Sequence, residues 1–154
     1  HKGNGILHRA FSIFIFTEKK DLILQKRSSK KLLWPEYWSN TVCSHPRKGE
    51  SLEIATQRRL DDEIGIQVDL KHLFQFQYQA KYKDLGSENE LCHVFIGKYN
   101  DLIKPNPNEI KDIMLIPFDE VDKELQKNSK LYTPWFKLEW ARIIKDFRNE
   151  IINL

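Results

Sequence analysis

The chain has 154 residues, of which 40% are hydrophobic and 31% are charged. This balance is typical of a soluble globular domain and excludes a disordered or a membrane-spanning chain. The longest apolar stretch, residues 11–16, is interrupted by Ser12 and is far too short to cross a bilayer. The net charge of +3 is spread along the chain, so we expect neither a nucleic-acid partner nor a membrane partner. The length predicts one domain over residues 1–154, with an N-terminus that we expect to be trimmed because no initiating Met is present.

Cysteine usage indicates the compartment. Cys43 and Cys92 are too few for a disulfide scaffold, and a chain of this length needs none. No signal peptide is visible, so we expect a reducing cytoplasm. The sequence leaves the oligomeric state open.

The first half of the chain alternates extended and turn-forming segments. Residues 7–16 predict a strand rich in aromatic and β-branched side chains, residues 17–21 a hairpin turn, and residues 22–26 the partner strand. A loop containing Trp34 and Pro35 follows, because proline disfavours helical geometry in the residue before it. Residues 38–45 then read as extended.

Helical spacing appears at residues 49–63, with Gly65 as a C-terminal stop. Residues 73–82 alternate aromatic and polar side chains, which predicts a strand with one aromatic face. Further strands are expected at 88–99 and 110–116. Thr133 and Pro134 predict the start of a last helix, whose apolar positions trace one face as far as Ile151. The elements therefore predict an α/β fold with a mixed sheet flanked by helices.

Two short segments could carry chemistry. Glu88 and Glu90 are two residues apart at the start of a predicted strand, so both carboxylates point to one face and repel unless a cation or shared proton separates them. Cys43 and His45 have the same spacing in another extended segment. Taken alone, the acidic pair is equally compatible with a solvated turn, and Cys43 with a small buried side chain.

The most specific segment lies between Gly49 and Ile66. Glu50, seven residues, and then Arg58-Arg59-Leu60-Asp61-Asp62-Glu63-Ile64-Gly65-Ile66 resemble the Nudix signature, a loop-helix-loop whose acidic residues bind divalent cations around a diphosphate. The chain departs from the hydrolase form at Ser44, Arg59 and Asp62. Arg59 in place of an acidic ligand adds a positive charge that suits holding a diphosphate intact.

Around this signature the chain resembles type I isopentenyl diphosphate isomerases, which are Nudix proteins. The matching pieces are His1 and His8, the segment Leu7-His8-Arg9-Ala10-Phe11-Ser12, Trp34-Pro35 with Trp38, Asn40-Thr41-Val42-Cys43-Ser44-His45-Pro46, Arg58-Arg59, Glu88-Asn89-Glu90 and Pro134-Trp135. The set as a whole is far more specific than any single piece.

The resemblance implies a metal site and a diphosphate site. One divalent ion, for which Mn²⁺, Mg²⁺ and Zn²⁺ all remain open, would be held by three histidines and two glutamates, namely His1, His8, His45, Glu88 and Glu90. A second ion, Mg²⁺, would bridge the substrate diphosphate to Glu63. The family positions that contact the diphosphate correspond to Arg27, Lys31 and Arg59, although basic loop residues are also common without a ligand.

The resemblance also implies the reaction. The alkene of isopentenyl diphosphate is protonated to a tertiary carbocation, and loss of a proton from the neighbouring carbon gives dimethylallyl diphosphate. Cys43 and Glu90 would handle the two protons with help from Tyr78. Glu90 as donor and Cys43 as base is the assignment that we prefer for the forward direction, and it reverses with the reaction. Trp135 would cover the pocket and stabilise the cation, unless it packs only as core.

Two other functions are weighed against the isomerase. A Nudix diphosphate hydrolase is disfavoured by Arg59 and Asp62. A Nudix-like binding module has no need for Cys43, Tyr78 and the acidic pair together.

Overall fold

The structure, a computed structural model, describes residues 7–154, in which seven strands form one mixed sheet that packs against helices. The predicted α/β fold is confirmed. The strands are β1 (His8–Phe16), β2 (Asp21–Arg27), β3 (Trp38–Ser39), β4 (Val42–Ser44), β5 (Lys71–Tyr82), β6 (Gly86–Lys98) and β7 (Ile110–Pro117). The helices are α1 (Leu52–Ile64), α2 (Val121–Lys127), α3 (Pro134–Asp146) and α4 (Arg148–Ile152). None of them is both long enough and apolar enough to span a membrane.

Strand β1 lies at the centre of the sheet. It pairs in parallel with β6 along its whole length and antiparallel with β2 and β4, and the sheet order is β3-β2-β1-β6-β5. Strand β7 pairs with β2, and both faces of β1 are covered. Phe14 packs with α3, whereas Ile13 packs with α1. A strand buried on both faces needs apolar side chains in succession, which explains why residues 10–16 are apolar except for Ser12.

Helix α1 is bounded by two local devices. The Ser51 side chain accepts a hydrogen bond from the Ile54 N–H, so the helix begins at Leu52 and not at Gly49 as predicted. Gly65 ends it in the left-handed conformation (φ 69°), and its N–H bonds to the Asp61 carbonyl, as predicted.

The aromatic alternation of β5 is confirmed, since Phe74, Tyr78 and Tyr82 are buried and the intervening glutamines are exposed. The prediction of one continuous last helix is wrong. Phe147 leaves helical geometry between α3 and α4, and its ring stacks on Phe74 at 5.3 Å. This tertiary contact, together with burial of Ile151, decides the break in a segment that contains no helix-breaking residue. The sequence reading also missed α2.

Candidate active site

A cavity of about 120 Å³ opens where β1, β4 and the start of β6 meet the first turn of α3. Its walls contain seven of the residues that the sequence predicted for the site, which come from segments far apart in the chain. These are Arg27, Lys31, Cys43, His45, Glu88, Glu90 and Trp135. Phe11 and Ser12 of β1 also line it.

Strand pairing assembles a cluster of histidines and glutamates at one end of the cavity. The parallel register of β1 and β6 places His8 beside Glu90. His45 directly follows β4, which pairs with β1 on its other side. His45 Nε2 lies 2.7 Å from Glu90 Oε1, and His8 Nε2 lies 3.8 Å from the same oxygen. Glu88 completes a group of four whose nearest ligand atoms all lie within 4.8 Å of one another. His1 lies outside the described residues.

The donor atoms of this cluster suit a divalent cation. Burial, followed by the neighbouring Glu90, raises the pKa of Glu88 to about 8. Burial also raises the pKa of Glu90 and lowers that of His45, which keeps this imidazole neutral and able to bind a metal. Two carboxyl groups held this close are stabilised when a cation separates them, and the mixed nitrogen and oxygen donors fit Mn²⁺, Mg²⁺ or Zn²⁺. This His/Glu group can therefore bind a metal ion.

The thiol of Cys43 lies in the middle of the cavity wall, beside a guanidinium. Arg27 Nη1 is 3.8 Å from Cys43 Sγ. Burial raises the pKa of Cys43 to about 12, and the positive charge of Arg27 works against that rise. The Arg27 side chain is itself fixed, because it donates to the carbonyls of Leu33 and Trp34 at 2.8 and 3.0 Å. Arg27 is thus held beside the thiol at the cavity wall.

Trp135 both lines the cavity and belongs to the core. It lies in the first turn of α3, is 8% exposed, and donates its indole N–H to Asn40 Oδ1 at 3.2 Å. The Arg27 guanidinium carbon is 5.1 Å from its ring centroid, and Trp34 meets it edge-on at 5.3 Å. These contacts hold the indole in place as one wall of the cavity.

Tyr78 lies behind the cavity wall. It is opposite Glu90 in the β5–β6 pairing, it is 4% exposed, and its hydroxyl has no hydrogen-bond partner among the described residues. Burial, followed by the charge of Glu90, raises the pKa of Tyr78, so the phenol stays protonated.

Arg59 and Glu63 lie beside the cavity in a cluster of paired charges. Arg59 bonds to Glu63 at 3.0 Å and to Glu109 at 3.3 Å, and Lys31 bonds to Glu109 at 2.5 Å. Gln25 also donates to Glu63, and burial raises the pKa of that carboxyl. The cluster joins α1 to Lys31 at the cavity. Sequence reasoning missed Glu109, since nothing in its local sequence distinguishes it from an exposed acid.

Glu139 is a second residue that the sequence reading missed. It is fully buried on α3 and accepts a hydrogen bond from Ser12. A signal existed, because Glu139 lies between Phe136 and Trp140 on the apolar face of the predicted helix, where an acid is out of place.

Comparison with known proteins agrees with this geometry. The family model described as NUDIX domain matches residues 6–136. Among solved structures, the MutT protein from Methanosarcina mazei Go1 superimposes with a TM-score of 0.75 at 18% identity, over 91% of this chain and 94% of that one. At that identity the likeness shows the fold alone, and the fold and the family model together define a Nudix protein.

Sequence relatives narrow the class. Isopentenyl-diphosphate Delta-isomerase 1 of Photorhabdus laumondii is 44% identical over 148 residues, covering 95% of this chain and 84% of that protein. The isopentenyl-diphosphate Delta-isomerase of Dictyostelium discoideum is 34% identical, covering 98% and 72%. This chain belongs to the isopentenyl-diphosphate Delta-isomerase family.

Proposed function

We propose that this protein converts isopentenyl diphosphate into dimethylallyl diphosphate in isoprenoid biosynthesis. The observation that carries the proposal is one cavity in which a thiol, Cys43, and a carboxyl group, Glu90, accompany a His/Glu group able to hold a metal, in a chain whose relatives bear the isomerase name. Moving the double bond needs one C–H bond to form at the terminal alkene carbon and another to break at the carbon on the other side of the branch. The reaction therefore needs at least one group that donates a proton and one that accepts a proton.

Glu90 is the proposed proton donor in the forward direction. When no metal is bound, burial raises its pKa, which favours the protonated carboxyl that a donor must be. Cys43 is the proposed base; burial favours its neutral thiol, and the Arg27 guanidinium 3.8 Å away is the charge that works toward the thiolate form that accepts a proton. The reverse reaction exchanges the two roles. Tyr78, across the strand pair from Glu90, is proposed to assist by keeping a hydroxyl beside that carboxyl.

The diphosphate is proposed to bind at the basic side of the cavity through Arg27 and Lys31, which line it, and through Arg59, which lies beside it. Lys31 and Arg59 both form ion pairs with Glu109, so the two positively charged groups are held close together. Guanidinium groups suit bidentate contacts with phosphate oxygens, whereas an ammonium contributes a point charge.

Metal ions complete the proposed site. His8, His45, Glu88 and Glu90 would hold Mn²⁺, Mg²⁺ or Zn²⁺, with His1 as a further ligand, and Glu63 would hold Mg²⁺ at the diphosphate. A bound divalent ion supplies positive charge that cancels the repulsion between neighbouring carboxylates.

Trp135 is proposed to protect the cationic intermediate. Its indole forms one wall of the cavity, so its π face can stabilise positive charge while its bulk excludes water. The cytoplasm is the proposed location, supported by the two unpaired cysteines.

The rival functions are less well supported. A diphosphate hydrolase uses acidic ligands on the signature helix, but here Arg59 replaces one and is paired with Glu63. Incubating the protein with isopentenyl diphosphate and Mg²⁺ or Mn²⁺ separates the alternatives. Dimethylallyl diphosphate, detected by NMR, supports the isomerase. Phosphate release without isomer would indicate a hydrolase, and no turnover with any metal would indicate a binding module.

Substitution tests the two proton carriers. Cys43→Ala and Glu90→Gln should each lower kcat by roughly 10²-fold or more, because each removes a group that moves a proton in the transition state. Glu53→Gln, a change on the exposed side of α1, is the control and should keep the wild-type rate. A near-normal kcat for either site variant would remove that residue from the proposed chemistry.

A further inference from the structure

Among the residues that the structure describes, one buried acid belongs neither to the cluster of paired charges at α1 nor to the His/Glu group. Glu139 has no exposed surface. Its Oε2 accepts hydrogen bonds from the Ser12 hydroxyl at 2.7 Å and from the Cys92 thiol at 3.4 Å. Its Oε1 is buried and has no hydrogen-bond partner among residues 7–154. A buried polar atom without a partner costs stability, so its presence calls for an explanation.

Glu139 is joined to the cavity wall by its hydrogen bond with Ser12. It follows Trp135 by four residues in α3, so both side chains project from the same face of the helix toward the sheet. Its partner Ser12 is a cavity wall residue, and the strand register puts Ser12 opposite Cys43. The Ser12–Glu139 hydrogen bond thus joins the helix that carries Trp135 to the strand beside the thiol.

The direction of this hydrogen bond fixes the Ser12 hydroxyl. Burial raises the pKa of Glu139 to about 8, although the Ser12 and Cys92 hydrogen bonds oppose the rise. The neutral acid therefore prevails at pH 7. In the geometry of the structure Oε2 is the acceptor for both Ser12 and Cys92, and this arrangement leaves Oε1 as the oxygen that carries the acid proton. Ser12 donates its only hydroxyl hydrogen to Glu139, and Cys92 Sγ, 3.5 Å from the same oxygen, can occupy at most one of its two lone pairs, so a lone pair remains for the cavity side.

We propose that Glu139 is a positioning residue for the isomerisation, which holds the Ser12 hydroxyl with its oxygen lone pairs toward the carbon skeleton of the substrate. This inference rests on the proposed function. Positive charge develops on that skeleton between the two proton transfers, beside Cys43. An oxygen dipole that is already oriented stabilises this charge without having to reorganise during the reaction. Without Glu139 the hydroxyl loses this acceptor and can turn its hydrogen toward Cys92 or toward the cation.

A purely structural role predicts something different. An acid that only tied α3 to β1 would lose stability and activity together when replaced. Here, a leucine of similar size removes a buried carboxyl with an unpartnered oxygen, so stability should stay level or rise. Activity should fall all the same.

The test compares four variants and one control variant of the full chain with saturating Mg²⁺, using steady-state isomerase kinetics and thermal unfolding. Glu139→Leu should lower kcat by about tenfold, leave KM within about twofold and leave Tm unchanged or higher. Glu139→Gln, whose amide oxygen can still accept from Ser12, should stay within about threefold of wild type. Ser12→Ala should match Glu139→Leu, and the double variant should be no slower than either single one. Lys145→Leu, an exposed charge-to-leucine change on the same helix, is the control.

Three results would overturn the proposal while the wild type remains an active isomerase. They are a normal kcat for Glu139→Leu, a loss in Glu139→Gln as large as in Glu139→Leu, and multiplicative losses in the double variant. If Glu139→Leu does not fold, Ser12→Ala alone decides, because its kcat must then fall about tenfold. A wild-type protein without isomerase activity would instead refute the proposed function.

Discussion

The buried carboxyl of Glu139 should make the stability of this protein depend on pH. Its pKa rises from 4.5 to about 8 in the folded chain, so the folded state binds a proton over a range in which the unfolded state has released it. Below pH 4.5 both states are protonated and the group costs nothing through ionisation. As the pH rises toward 8, the stability is progressively lost, because the free energy of unfolding falls wherever the folded state binds more protons.

The magnitude follows from the two pKa values. Linkage gives a loss of roughly 3 to 4 kcal/mol between pH 5 and pH 8 from this one group. For a chain of this size that corresponds to a change in Tm of roughly 10 °C. Glu139→Gln cannot ionise, so its free energy of unfolding relative to wild type should increase by this amount across the range.

Urea denaturation of both proteins at pH 5, 6, 7 and 8, with Mg²⁺ held constant, measures the difference. Other buried acids, including Glu63 and Glu88, titrate in both proteins, so their contributions largely cancel in the comparison. A difference between variant and wild type that is the same at pH 5 and pH 8 would refute the reasoning, because it would mean that Glu139 titrates normally or has a partner when ionised.

Three further results are expected. Mn²⁺ should raise the Tm of the wild type and restore the activity lost to a chelator. His45→Ala should lose this rise in Tm, whereas Lys48→Ala, an exposed control, should keep it. An equal rise in both variants would mean that the ion binds elsewhere. Gly65→Ala should lower the free energy of unfolding by about 1 kcal/mol or more in urea, because Gly65 adopts a positive φ, and an unchanged midpoint would contradict this. The bonds from Arg58 lower the pKa of Glu50 from 4.5 to about 2, so the stability from this pair is present above pH 4.5 and is lost as the pH falls through 2. Glu50→Gln should flatten the acid limb of a pH-denaturation curve, and an unaltered limb would count against the pair.

The order of elements along the chain was predictable because most of it rests on local patterns. The alternation of β5, the stop at Gly65 and the start of α3 each depend on a few neighbouring residues, and the structure has them where the sequence indicated. The break at Phe147 was not predictable, because the ring of Phe74, far away in the chain, supplies the contact that outweighs helix propagation.

The site divides in the same way. Motifs alone pointed to Cys43, His45, Glu88 and Glu90, since residues two apart in a strand share a face. The two segments come together only in the tertiary structure, because β1 pairs in parallel with β6 and antiparallel with β4.

By itself, then, the sequence determined the fold class, the family and the kinds of side chain in the site, because residue spacing and motifs are properties of short segments. Only the tertiary structure decided which charges meet. Lys31 and Arg59 share Glu109, and Glu139 reaches Ser12 from 127 residues away. Such pairings depend on the sheet register and on burial, which removes water as the competing partner and makes each remaining hydrogen bond count.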